Sequence, residues 1–180
     1  MLIETGSLLV SPPTMPDPRF GQTVLMLTQH GPRGAFALAI NKKTNHDINR
    51  ATKEMGIVKH LPFEMYWGGP VHPGSIWMLH SKDWSIDQSM HITDEWKITS
   101  HEAMFHHLAD GDAPRWFRIC FGFSSWGPLQ LDRELERRDG GSWLTAEAPD
   151  PESLFSLDDS KLWSKATQLA AKEAVNEWLP

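Results

Sequence analysis

Apolar positions along the chain follow two rhythms, short continuous runs and helical stripes. The first run, Leu8, Leu9 and Val10, is a stub closed by Pro12 and Pro13. Pro16 and Pro18 flank Asp17 and hold that stretch extended, because a residue ahead of proline is pushed out of the helical region. Residues 22–30 (QTVLMLTQH) are rich in strand formers. Gly31, Pro32 and Gly34 then turn the chain, and residues 35–41 (AFALAIN) return it as the second arm of a β-hairpin. The hydrophobicity is continuous rather than alternating, so part of this hairpin is expected to be covered on both faces.

Downstream, residues 47–56 read as a short helix with Asp47 as N-cap, Ile48, Ala51, Thr52 and Met55 at helical spacing, and Gly56 at its end. Residues 63–71 are a strand running into the corner Gly68-Gly69-Pro70. Residues 75–81 form another strand and 89–93 a shorter one. Residues 99–111 predict a helix with a capping box of Thr99 and Glu102, a core face of Met104, Phe105 and Leu108, and a stop at Gly111. Residues 115–123 are a strand and 124–128 a loop. Residues 129–138 are an exposed helix with Leu131 and Leu135 inward and Glu134 paired with Arg138. After a turn at 139–142, residues 143–149 are extended, and 150–155 form a helical turn or a loop. Residues 158–178 close the chain as a helix with Leu162, Trp163, Ala166, Leu169, Ala170 and Ala174 on one side. No regular βαβ rhythm appears. The expectation is an α+β fold in one domain spanning 1–180, with a mixed, largely antiparallel sheet flanked by helices, and 157–180 packing on it.

Charge and composition narrow the function. The 180 residues carry a net charge of −6 and no dense Lys/Arg run, which argues against strong direct nucleic-acid binding. Nine tryptophans are many for one small domain. Some of these rings are expected half-exposed on a surface for a protein partner or for self-association. Cys120 is the only cysteine, so no internal disulfide forms, and its place in RWFRICFG predicts a buried, inert thiol. Glu4 stands where a signal peptide needs positive charge, and no stretch approaches the ~20 apolar residues of a membrane span. The expectation is a soluble cytoplasmic protein with no membrane partner.

Familiar catalytic motifs fail on spacing. HEAMFHH begins like H-E-x-x-H, but position i+4 from His101 is Phe105. In GFSSWG neither Ser124 nor Ser125 lies between two correctly placed glycines. Gly68-Gly69-Pro70 lacks the Lys-Ser/Thr of a phosphate loop. No metal and no cofactor are expected. Two function classes follow. One is a non-enzymatic regulatory or interaction protein. The other is a small-molecule hydrolase using His30, His72 or His80 with Asp17 or Ser125. Asp17, Arg19, His30 and Asn41 punctuate the first hairpin, either as turn formers and ion-pair partners or as contacts to a polar ligand. The candidate binding surface lies where Asp17, Arg19, Gly68, Gly69, Trp126 and Gln130 would converge on loops at strand ends. The alternative is that these loops pack on each other to close the sheet.

Three stretches together resemble the YqgE/AlgH family of small bacterial proteins. They are SLLVSPPTMPDPRFGQTVLMLTQHGPRGAFALAIN, WGGPVHPGSIWMLHS and ITSHEAMFHHLADGDAPRWFRICFGFSSWGPLQLDRELERRDGGSWLTAEA. They run in the family's order and cover most of the chain up to Pro149. The chain departs from the family pattern at Gln22, often basic there, at Ala37, usually Gly, at Lys43, commonly Pro, and at Ser124-Ser125, usually Ala-Gly. The resemblance implies an α+β fold with a bent, partly barrel-like mixed sheet. It implies no agreed activity or cofactor, and it carries a link to transcriptional regulation in one branch.

Overall fold

A computed structural model describes residues 3–136 and 143–179. The apolar stub becomes strand β1 (Ser7–Val10), and the hairpin becomes β2 (Val24–Gly31) and β3 (Gly34–Ala39). Between β1 and β2, a single 3-10 turn (Pro18–Phe20) follows the prolines. Helix α1 (Ile48–Glu54) is capped by Asp47, whose carboxylate accepts from the Asn49 N–H, and Gly56 beyond it has φ +80°. Then come β4 (Met65–Trp67), β5 (Val71–Ser81), β6 (Met90–His91), β7 (Trp96–Thr99), α2 (Ala103–Ala109) and β8 (Phe117–Trp126). The chain closes with α3 (Gln130–Glu136), β9 (Leu144–Glu147), α4 (Pro151–Phe155) and α5 (Asp159–Trp178).

The nine described strands form one sheet in the order β6-β7-β5-β8-β3-β2-β1-β9, with β4 beside β8. Every pairing along that path is antiparallel, and β4 alone runs parallel to its partner. The sheet curls into a half-barrel, and its two ends approach each other. The Trp96 indole at the β7 end donates to the Pro149 carbonyl just past β9, at 3.0 Å. This is the α+β fold with a bent, largely antiparallel sheet expected from the sequence.

Unbroken hydrophobicity in the first strands has its explanation here. Leu8, Val10, Val24, Met26, Leu38 and Ile40 face one core, closed by Leu154 and Phe155 of α4 and Leu162 and Ala166 of α5. Their neighbours Leu9, Leu25, Leu27, Ala37 and Ala39 face a second core with Trp126, Leu131 and Trp143. A third core lies under α1 and α2, where Met78 and Ile119 meet Met104, Phe105 and Leu108. Each strand of the β1–β3 group is therefore buried on both sides, and alternation cannot appear in it.

Several local expectations change. Residues 124–126 are strand, not loop, because β3 offers them a ladder in which Ala37, Phe36 and Ala35 pair with Ser124, Ser125 and Trp126. The capping box does not form. Thr99 ends β7, α2 starts at Ala103, and Glu102 caps it without a side-chain bond. The strand expected at 75–81 begins already at Val71. Residues 150–155 are helical, with Asp150 capping α4. On α5, Ala174 is exposed rather than inward. Arg138, its expected pairing with Glu134 and the turn at 139–142 lie outside the described residues.

Candidate functional site

The proline-rich turn builds one lip of the candidate surface. Pro18 fixes its own φ at the first position of the 3-10 turn, and Asp17 caps it, accepting the Arg19 N–H at 3.0 Å. The same carboxylate receives the Arg19 guanidinium as a fork, from Nε at 3.1 Å and from Nη2 at 2.7 Å. This pairing with Arg19 holds the Asp17 carboxyl below its usual range and Arg19 above its own. Phe20 turns inward. Its ring lies 5.5 Å from Trp67 and 5.5 Å from Trp143, edge-on to the latter. Two residues fasten this lip to the hairpin, Asn41, already marked by the sequence as a polar residue of the hairpin, and Lys42, which pattern reading missed. Asn41 Oδ1 accepts from the Val24 N–H at 2.9 Å, while its Nδ2 donates to the Gln22 carbonyl at 2.9 Å. Lys42, half-buried and held below its usual pKa by burial, donates to the Gly21 carbonyl.

Gly68 and Gly69 are glycines because β8 crosses directly behind them. A Cβ on Gly68 would stand 2.3 Å from the Gly122 carbonyl oxygen, and one on Gly69 would stand 2.2 Å from the Phe123 carbonyl carbon. The approaching backbone belongs to the chain itself. The Gly68 N–H donates to Phe121 and its carbonyl accepts from Ala39.

At the third segment, Trp126 is buried. Its indole N–H and that of Trp143 both donate to Glu134 Oε2, at 3.0 and 3.2 Å. Gln130 donates to Glu134 Oε1 and accepts the Gly127 N–H at 3.0 Å. The two indole rings meet edge-on at 6.3 Å. The rings Trp67, Phe20, Trp143 and Trp126 thus form a continuous chain of contacts that joins the first and third predicted segments and ends at Trp67, the residue before Gly68. Arg19 and Gln130 lie exposed at its margin, Asp17 is half-buried beside Arg19, and Trp126 sits within.

The histidines of the hydrolase alternative are dispersed. His30 contacts the Ile3 carbonyl through Nδ1 at 3.2 Å and Asp132 through Nε2 at 3.2 Å. His72 is exposed at φ +43° and stacks on Phe123. His80 is buried. Its Nδ1 lies 2.9 Å from the Ser81 carbonyl and so carries the proton, leaving Nε2 to accept from Thr99 Oγ1 at 2.8 Å. Ser89 Oγ lies 2.7 Å from Thr99 Oγ1 and accepts from the Ile86 N–H, so the chain of donors runs Ile86, Ser89, Thr99, His80. Burial pushes the His80 pKa below its ordinary value. None of these three histidines is hydrogen-bonded to Asp17 or Ser125.

Cys120 is fully buried, and burial pushes its thiol up to about 12, which leaves it unreactive at neutral pH. Arg118, a lone charge in an apolar strand, packs over Tyr66 and Phe155 at 4.7 and 4.4 Å and pairs with Asp159 at 3.0 Å. Tyr66 also donates to Asp159, at 2.8 Å. This group pins the start of α5 to the sheet.

Known proteins resemble this chain in sequence and in fold. A UPF0301 protein of Cereibacter sphaeroides is 36% identical over 171 residues, covering 89% of this chain and 88% of the relative. One from Ruegeria pomeroyi is 33% identical over 178 residues, covering 95% and 94%. The solution structure of the AlgH protein from Pseudomonas aeruginosa matches with a TM-score of 0.76 at 28% identity, over 92% of this chain and 87% of that one. A crystal structure from Corynebacterium diphtheriae shares the fold, with a TM-score of 0.71 at 19% identity. The AlgH-like family model matches residues 8–174, and the chain belongs to the AlgH-like family.

Proposed function

We propose that this protein is a non-enzymatic regulatory module of the cytoplasm that works by protein contact, with a partner or with a second copy of itself, at the rim built from residues 17–20 and 126–130. The observation that carries this reading is the ring chain from Trp67 to Trp126 with the Arg19 fork at its margin. Arg19 is exposed, yet Asp17 holds its guanidinium in one place, so little side-chain entropy is lost when an acidic or carbonyl partner meets it. An anchored arginine beside half-buried aromatic rings is the residue mix that dominates protein interfaces. Regulation of transcription, if this chain shares in it, then runs through another protein, since a net charge of −6 opposes a DNA duplex.

The test is Arg19→Ala, followed by sedimentation of the purified chain and by crosslinking in cells. The expected result is loss of self-association or of a crosslinked partner, with a melting temperature nearly unchanged. Unaltered association in the variant would overturn the reading.

A further inference from the structure

The half-barrel leaves a seam between its two ends, and that seam is built like a strand receptor. On one side runs β9, the edge strand. Its ladder to β1 pairs Ala146 with Leu8 and Leu144 with Val10. The Glu147 N–H points the other way, because it donates to both carboxylate oxygens of Glu173, at 3.0 and 3.1 Å. Along an antiparallel strand the main-chain groups of every second residue face the same side. The N–H and C=O of Thr145 therefore also face away from β1, and no described residue bonds them. On the other side stand Thr93 to Glu95, between β6 and β7, and Trp96, the first residue of β7. One end of the seam is shut, where a Cβ on Gly6 would stand 2.3 Å from Thr93 Cγ2 and where Trp96 reaches Pro149. Elsewhere the walls part to leave a cleft of about 950 Å³.

The described walls of this cleft carry one sign of charge. Glu4, Asp94, Glu95, Glu147 and Glu173 line it, and no Lys, Arg or His among the described residues does. Lys82 pairs with Glu95 at 2.6 Å and is not part of the lining. The cleft uses none of the six residues of the predicted binding surface.

We infer that the seam binds an extended, basic segment of a partner protein, added as a further strand to the free side of β9. The incoming chain pairs with the N–H and C=O of Thr145, and reaches the Glu147 N–H by displacing the Glu173 carboxylate. Strand addition supplies affinity through main-chain bonds, and alternate side chains supply selectivity. Here the alternate side chains that suit the walls are Lys and Arg, held by Glu4, Asp94 and Glu147. An exposed strand edge is otherwise an aggregation hazard. Glu173 covers part of this edge in the free protein.

The test selects binders to the full-length protein from a random nonapeptide display library and measures the selected peptides by fluorescence anisotropy. The proposal expects Lys or Arg enriched at alternate positions. It expects roughly tenfold weaker binding to the triple variant Glu4→Gln, Asp94→Asn, Glu147→Gln, from three lost exposed ion pairs. It also expects loss of binding when alternate peptide nitrogens are methylated. Circular dichroism of the triple variant should be unchanged, since these side chains are on the surface. No selected binder, binders without basic residues, equal affinity for the triple variant, or tolerance of methylation would each overturn it. The Arg19→Ala variant should bind the same peptides normally, so failure here and failure at the rim are told apart.

Discussion

Two polar clusters solve the same problem in opposite ways. Around Asp17 and Arg19, four hydrogen bonds, one of them also the ion pair, are made between residues two apart, on the surface. Around His80, the partners come from β5, from the loop at Ile86–Ser89 and from the end of β7; His80, against Trp84, and Thr99 are buried, while Ile86 and Ser89 are half-buried. In the first cluster water stands ready to replace any bond that breaks. In the second it does not, so a missing partner leaves a buried acceptor bare. Equal counts of hydrogen bonds therefore carry unequal weight in stability. The first cluster is free to serve recognition, and the second serves the fold.

The largest effect should come from removing the middle of the buried chain. Thr99→Val keeps the shape but leaves His80 Nε2 without a donor and the Ser89 hydroxyl without an acceptor. A loss of about 1–3 kcal/mol is expected in urea unfolding. A change below about 0.5 kcal/mol would mean that water reaches this site.

Acidification should come next. Burial holds the His80 pKa below its ordinary value of 6.5 in the folded chain, so the unfolded chain binds the proton first. The stability from neutral His80 is complete above that ordinary value. It is lost as pH falls from there toward the folded pKa, and changes no further below it. Unfolding midpoints measured across this window should fall, and NMR of the His80 ring should show no titration near the ordinary value. A ring that titrates at or above 6.5 would contradict the buried, neutral assignment.

The smallest effect belongs to the exposed pair. Asp17→Ala removes a cap and an ion pair at the surface, and should cost no more than about 1 kcal/mol. Its consequence should appear in binding, because Arg19 loses its anchor. If thermal unfolding instead reports a loss as large as that of Thr99→Val, the two clusters do not differ in kind.

Read residue by residue, the sequence itself determined what short-range chemistry can determine. Asp47 and Gly56 bound α1, Gly111 follows α2, Pro18 holds Asp17 extended at φ −87° and ψ 111°, and continuous apolar runs mark strands buried on both faces. It also marked Asp17 as a turn former and Arg19 as an ion-pair partner, because two residues of separation bring them together locally. Only the tertiary structure decided the rest. Ser124 to Trp126 look like a loop until β3 supplies a ladder. Thr99 looks like a helix cap until His80 takes its hydroxyl. Glu134 looks like an ordinary surface carboxylate until the indoles of Trp126 and Trp143 both reach it. A side chain with several possible hydrogen-bond partners goes to whichever one burial leaves unsatisfied, and burial is set by residues far away in the chain. The seam beside β9 is the extreme case, since the walls of that cleft come from the start, the middle and the end of the sequence and meet only because the sheet curls.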